Sequence, residues 1–316
     1  MYFKQLKTLF EEILRVYLTL LKVMVPAIIA VKVLDMFGGT QWLGKMLAPL
    51  MQFIGLPEQL GLVWATAMLT NIFTAMVVFV DVTGSLELSV AQVSVVGILI
   101  LLSHAIPIEG AVAKMVGVSW RITISLKIGG SLLLAALVNW LYTILDYQQQ
   151  PAVLLWQGEP QQQSMQQWAL EQGQLLITIF FIISALIILL RILKKLGLET
   201  LLQTLLSPLF KLLDITKDAS NITITGITLG LSYGAGLMIA EVKKGNISNK
   251  DILLSICFLT LAHSLIEDTL LILMLGADVL AILWIRIVFA VVVVALMARF
   301  IALRAAINLT RQTEKH

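Results

Sequence analysis

Apolar residues run through this chain in blocks too long for the strands or amphipathic helices of a water-soluble domain. In the first half they occupy about 13–37, 60–80, 90–117 and 119–145; in the second, about 172–193, 219–240, 250–275 and 279–303. Each block has spanning or near-spanning length, since a helix crossing hydrocarbon needs roughly 20 apolar residues. Two shorter segments, 42–56 and 201–215, are interrupted by Pro49 and Pro208. Each is able to cross as a short kinked span, dip in and return, or lie at the interface. The pattern predicts an all-α polytopic membrane protein. Lys4, Lys7, Glu11, Glu12 and Arg15 predict a short amphipathic surface helix from Tyr2 to about Leu14, followed by a retained first span rather than a cleaved signal peptide.

The two halves repeat. A shift of 159 residues lays Lys32 on Arg191, Gly38 on Gly197, Pro49 on Pro208, Thr66 on Thr225, His104 on His263, Glu109 on Asp268, Gly117 on Gly276 and Lys127 on Arg286 without a gap. The loop charges do not repeat. The loop Asp81–Ser89 has no Lys or Arg, whereas its counterpart Ala240–Ser248 carries Lys243 and Lys244, and Asp146–Leu190 has neither. Cytoplasmic loops are enriched in these residues. Counting the proline-bearing segments as crossings gives ten spans in two inverted five-span repeats. The clusters at Lys4, Lys114, Arg191, Lys243 and Arg304 then share the cytoplasmic side with both termini. Residues 1–145 form the first transmembrane repeat, 146–171 a polar periplasmic linker and 172–316 the second repeat.

Composition agrees: 59% of residues are hydrophobic, 13% are charged, and the mean hydropathy is +0.94, which places the chain in a bilayer. The expected location is the bacterial inner membrane. A net charge of +3, dispersed along the chain, gives no nucleic-acid surface. Cys257 is the single cysteine, so no intramolecular disulfide or thiol metal cluster forms. There is no phosphate loop, nucleophile elbow, zincin helix or GTPase segment, so no enzyme and no cofactor are implied.

Ionisable groups inside spans are costly, by roughly 2.5–3.5 kcal/mol each on insertion scales, which makes each one a functional candidate. The third long segment of each half collects them, with His104, Pro107 and Glu109 in the first copy and His263, Glu267 and Asp268 in the second. On a continuous helix His263 and Glu267 share a face, while Asp268 is turned away from His263 by about 140°. Pro107 is expected to break only the first copy and let Glu109 swing towards His104. Together His104, Glu109, His263, Glu267 and Asp268 could form a proton relay or an O/N site for a divalent cation, against the alternative of hydrogen bonds that only pack helices. Lys127 and Arg286 would neutralise the carboxylates or hold an anionic substrate. The second span of each copy is polar or small. Gly226, Gly230 and Gly234 suit helix packing, while Asn71 and Tyr233 are candidates to line a substrate cavity.

The run Leu47-Ala48-Pro49-Leu50-Met51-Gln52-Phe53-Ile54-Gly55-Leu56-Pro57, followed by a small-residue span, resembles the Gate or nucleoside-recognition domain. That domain also occurs in concentrative nucleoside transporters, the membrane part of ferrous-iron transporters and spore-maturation membrane proteins. The second copy, Leu205–Asp214, is similar but puts Asp214 where Gly55 stands and Thr216 where Pro57 stands. The resemblance implies a transport scaffold without choosing its cargo. The expected function is a secondary transporter or exporter of a small polar solute, nucleoside-like or an organic anion, using a coupling proton or cation. The rival readings are a non-transporting membrane scaffold and a divalent metal-ion permease. The lipid bilayer is the certain partner, and a homo-oligomer stays open.

Overall fold

The computed structural model describes residues 2–84, 86–153, 164–213, 215–229 and 247–313, and every named element among them is a helix. Among the described residues, six helical stretches are long and apolar enough to cross a bilayer: Lys7–Leu34, Val90–Met115, Trp120–Ile144, Met165–Leu193, Asn249–Leu273 and Leu280–Ile301. Three fall in each half. The hydrophobic blocks predicted five; in the first half the difference lies in segments 42–56 and 60–80, and in the second it involves 201–215 and 219–240, the latter of which extends beyond the described residues.

Helix α1 (Tyr2–Met36) is one rod. The separate surface helix expected up to about Leu14 is its first turns, because no glycine or proline interrupts the chain there and Lys7 and Glu11 pair one turn apart. Gly38, at φ 72, turns the chain into α2 (Gly39–Phe53). Fifteen residues rise only about 22 Å, short of the roughly 30 Å hydrocarbon layer. In the second half Gly197, at φ 82, leads equivalently into α9 (Leu198–Leu212).

The 60–80 block divides into α3 (Leu60–Leu69) and α4 (Ile72–Thr83), which pack against each other. At the division Asn71 is extended, and its side chain accepts the Thr74 N–H at 2.9 Å, an N-cap that competes with helix continuation. Just before α3 begins, the Gly55 carbonyl accepts from Gln92, in the first turn of α5 (Val90–Ser103). Towards its tip the Ala67 carbonyl accepts the Ala105 N–H at 2.9 Å, beyond the far end of α5. The chain then returns through α4 to Ser89, which caps α5. This pair therefore enters and leaves at one end of the bundle and turns midway along the Val90–Met115 stretch.

That stretch is itself broken. Helix α5 stops at Ser103, Ala105 takes a left-handed turn (φ 52), and α6 (Ile106–Met115) resumes with Pro107 in its first turn. The second half breaks at the matching place without a proline. Helix α11 (Asn249–Ala262) ends before His263, Ser264 is left-handed (φ 45), and α12 (Glu267–Leu273) follows. The continuous helix expected to put His263 and Glu267 on one face is therefore not formed.

Helix α7 (Trp120–Ile144) contains a π-helical segment, Ser125–Gly130. Helix α13 opens with another, Leu280–Ile285, and continues as Arg286–Thr313. Between them, α8 (Met165–Lys195) lies along α1, with Arg191 ion-paired to Glu12 and Lys32 over the Trp168 ring at 5.6 Å. Helix α10 (Lys217–Leu229) approaches the second break, where the Ile227 carbonyl accepts the Leu265 N–H. Burial separates centre from rim: 72% of the apolar window is buried for each broken stretch, against 11% for α1 and 17% for α8. The broken helices form the core and cross-pack, α5 on the π segment of α13 and α11 on that of α7.

One end of the bundle is fixed by named contacts. The first turn of α5 bonds to the Gln148 and Gln150 carbonyls. Beyond α12, the Asp278 N–H donates to Ser94 at 2.7 Å and the Asp278 carboxylate accepts from Tyr142. The segment that begins α5 and the segment that follows α12 thus meet at the same end.

Candidate functional site

His104 and His263 sit at the two breaks, 159 residues apart in sequence, and their Nε2 atoms approach to 3.2 Å. Each is held the same way. His104 Nδ1 lies 3.0 Å from the Ile100 carbonyl, and His263 Nδ1 lies 2.8 Å from the Leu259 carbonyl, one turn back in each case. A carbonyl oxygen only accepts, so both Nδ1 atoms donate, and in the neutral rings both Nε2 atoms present lone pairs to one another.

Two carboxylates close on the same point. Glu109 Oε1 is 3.4 Å from His104 Nε2 and 3.3 Å from His263 Nε2; Asp268 Oδ2 is 3.9 and 3.8 Å from the same atoms. Glu109 and Asp268 occupy the first turns of α6 and α12, where N-terminal helix dipoles favour negative charge. All four side chains are buried. The backbone breaks make this possible: five residues on from the histidine would be the wrong face of a continuous helix, and the left-handed residue resets it.

The breaks free carbonyls at the ends of α5 and α11, and the two buried cations take them. Lys127 Nζ donates to the His104 carbonyl at 2.8 Å and lies 3.5 Å from that of Leu102; Arg286 donates to the Leu261 and His263 carbonyls at 2.9 and 3.1 Å. Lys127 also pairs with Glu109 Oε2 at 2.7 Å. These matched partners recur at the 159-residue shift. Symmetry is imperfect on the acid side, because Glu109 is ion-paired with Lys127 whereas Asp268 makes no ion pair with Arg286.

Of the residues singled out from sequence, the structure brings together His104, His263, Glu109, Asp268, Lys127 and Arg286. Glu267 forms no ion pair with either histidine; Asp268 stands in its place because α12 starts afresh after the break. Asn71 is a helix cap near the turn of the α3–α4 pair. Tyr233 lies outside the described residues. Sequence reasoning missed the Ile100 and Leu259 carbonyls, since any backbone carbonyl reads alike. It also missed Ser103, whose hydroxyl accepts from Trp64 at 2.8 Å beside the first break.

Comparison with known proteins bears on the same segment. Residues 17–119 match the family model for Gate, described as nucleoside recognition. The matched Gate segment runs from α1 past α6 and includes His104 and Glu109. An uncharacterized membrane protein, YvoD of Bacillus subtilis (strain 168), is 28% identical over 290 residues, covering 86% of this chain and 87% of the relative. No solved structure matches. The chain is a multi-pass membrane protein, and the match is consistent with a transporter-related role.

Proposed function

We propose that this protein is an inner-membrane secondary transporter built from two inverted Gate-like repeats, with a cation bound between them at the His104–His263–Glu109–Asp268 cluster as cargo or coupling ion. The observation that carries the reading is the convergence of four acceptor atoms from both halves, with both Nδ1 donors already committed elsewhere. Lys127 and Arg286 balance the two carboxylates from outside, but the converging atoms themselves lack a donor or cation between them. A purely structural network would pair donors with acceptors, which disfavours the scaffold reading. Separations of 3.2–3.9 Å between Nε2 atoms and carboxylate oxygens fit one ion rather than a nucleoside-sized solute.

Inversion is supported by direction. The start of α5 and the segment after α12 meet at one end of the bundle, so equivalent broken helices run oppositely. Three crossings per half, an odd number, invert the second copy just as five would. The same basic clusters then lie inside, with both termini cytoplasmic and the linker periplasmic. The α3–α4 pair approaches the cluster from the outer side, and α10 approaches it from the inner side. This is an arrangement in which opening either cover gives access from one side only.

Thr70, in the turn of the α3–α4 pair, tests it. In a Cys257→Ala background, Thr70→Cys should react with a membrane-impermeant thiol reagent both in right-side-out and in inverted vesicles, because the site opens alternately. Reaction from one side only, or from neither, would overturn the transport reading.

A further inference from the structure

Resting on that reading, we infer that the ion is a divalent transition metal of borderline softness, of the Zn2+ or Co2+ type. His104 Nε2, His263 Nε2 and Asp268 Oδ2 are its primary donors, and Glu109 Oε1, close to both imidazoles, completes an N2O2 set. A tetrahedral metal with donors at about 2.0–2.2 Å keeps neighbouring donors about 3.3–3.6 Å apart. The edges among His104 Nε2, His263 Nε2 and Asp268 Oδ2 are 3.2, 3.8 and 3.9 Å, and Glu109 Oε1 lies 3.4 and 3.3 Å from the two imidazoles, so binding draws the two carboxylates inward onto one ion.

A proton is the competing occupant, and the geometry distinguishes the two. One proton between the rings satisfies the Nε2 pair, yet it leaves Asp268 Oδ2 at 3.8–3.9 Å from both, beyond hydrogen-bond reach. A metal engages all four donors at once. The outer contacts are those that metal-binding histidines make, each Nδ1–H on a backbone carbonyl that fixes the tautomer and the ring plane. Two imidazoles select against Mg2+ and Ca2+, which prefer oxygen, and the lack of thiolate argues against a soft monovalent ion. Lys127 and Arg286 balance the two carboxylates, so the ion meets a site of zero formal charge. That weakens its hold and favours release, as conduction or carriage requires.

The test uses full-length protein purified without a polyhistidine tag, with Cys257→Ala and His316→Ala so that His104 and His263 are the remaining imidazoles. Titration with CoCl2 should give the intense visible absorption of tetrahedral cobalt at one ion per chain, and Zn2+ should displace it. His104→Gln and His263→Gln should each abolish that absorption and weaken Co2+ binding by more than about 100-fold, above the loss typical of outer contacts, and Asp268→Asn should weaken it as well. A His104→Cys variant, which restores a donor, guards against misfolding and should retain a shifted cobalt spectrum. No cobalt absorption in the parent, or absorption that survives both glutamine variants, overturns the metal assignment. With Thr70→Cys still reactive from both sides, that failure leaves the transport reading standing. Cobalt bound at the cluster with Thr70→Cys closed on either side does the reverse.

Discussion

Lys127 and Glu109 form a buried ion pair in the middle of the bundle. Each is buried, and each is tolerable there because the other is 2.7 Å away and the ammonium also meets the carbonyls freed at the end of α5. Removing one partner of such a pair strands a charge, which costs about 3–5 kcal/mol. Lys127→Met should therefore lower the melting temperature sharply in detergent with chelator present, and Lys127→Met/Glu109→Gln should recover much of the loss. Strict additivity of the two single changes would mean that the pair is not coupled. At this scale the sequence was informative: charged residues in apolar runs are few, and the 159-residue match marked six of those now clustered. Counting faces along an unbroken helix put Glu267 beside His263, whereas the left-handed residue at Ser264 brings Asp268 to that place.

At the scale of elements, the breaks at Ala105 and Ser264 are the organising feature, and their cause is tertiary. Pro107 accompanies the first but has no counterpart in the second, where the preceding helix ends at Ala262 all the same. What both share is a following N–H bonded to a neighbouring helix, Ala105 to Ala67 and Leu265 to Ile227, and a buried cation on the last carbonyls. Pro107→Ala should thus leave the break intact, changing stability by less than about 1 kcal/mol, within the range for compatible proline exchanges. Cobalt binding would be unaltered. A loss of cobalt binding with the fold retained would return the break to the proline. Hydropathy did not reveal the division of the 60–80 block. Thr70 and Asn71 carry its only local signal, a capping residue within an apolar run.

For the whole molecule, the inverted arrangement predicts opposite exposure of equivalent residues. Phe37 and Leu196 are 159 apart and 86% and 77% exposed, each just ahead of a left-handed glycine. As single cysteines in the Cys257→Ala background, Phe37→Cys should be labelled in intact cells by an impermeant reagent, and Leu196→Cys only after permeabilisation. Labelling of both in intact cells would require parallel repeats. The basic clusters indicated this sidedness from sequence. The described residues hold six candidate spans where the hydrophobic blocks suggested ten, because an apolar segment of fifteen to twenty residues scores alike whether it spans, turns back or lies flat.

By itself the sequence determined the solvent, the helical class, the repeat register and the charged residues that a bilayer tolerates only for a reason, because transfer energies and side-chain charge belong to residues one at a time. Only the tertiary structure decided that two helices stop at their histidines, that Asp268 rather than Glu267 faces them, and that the two Nε2 atoms meet. Those outcomes depend on which distant carbonyls and N–H groups must find partners where water is absent, and no local pattern encodes that requirement.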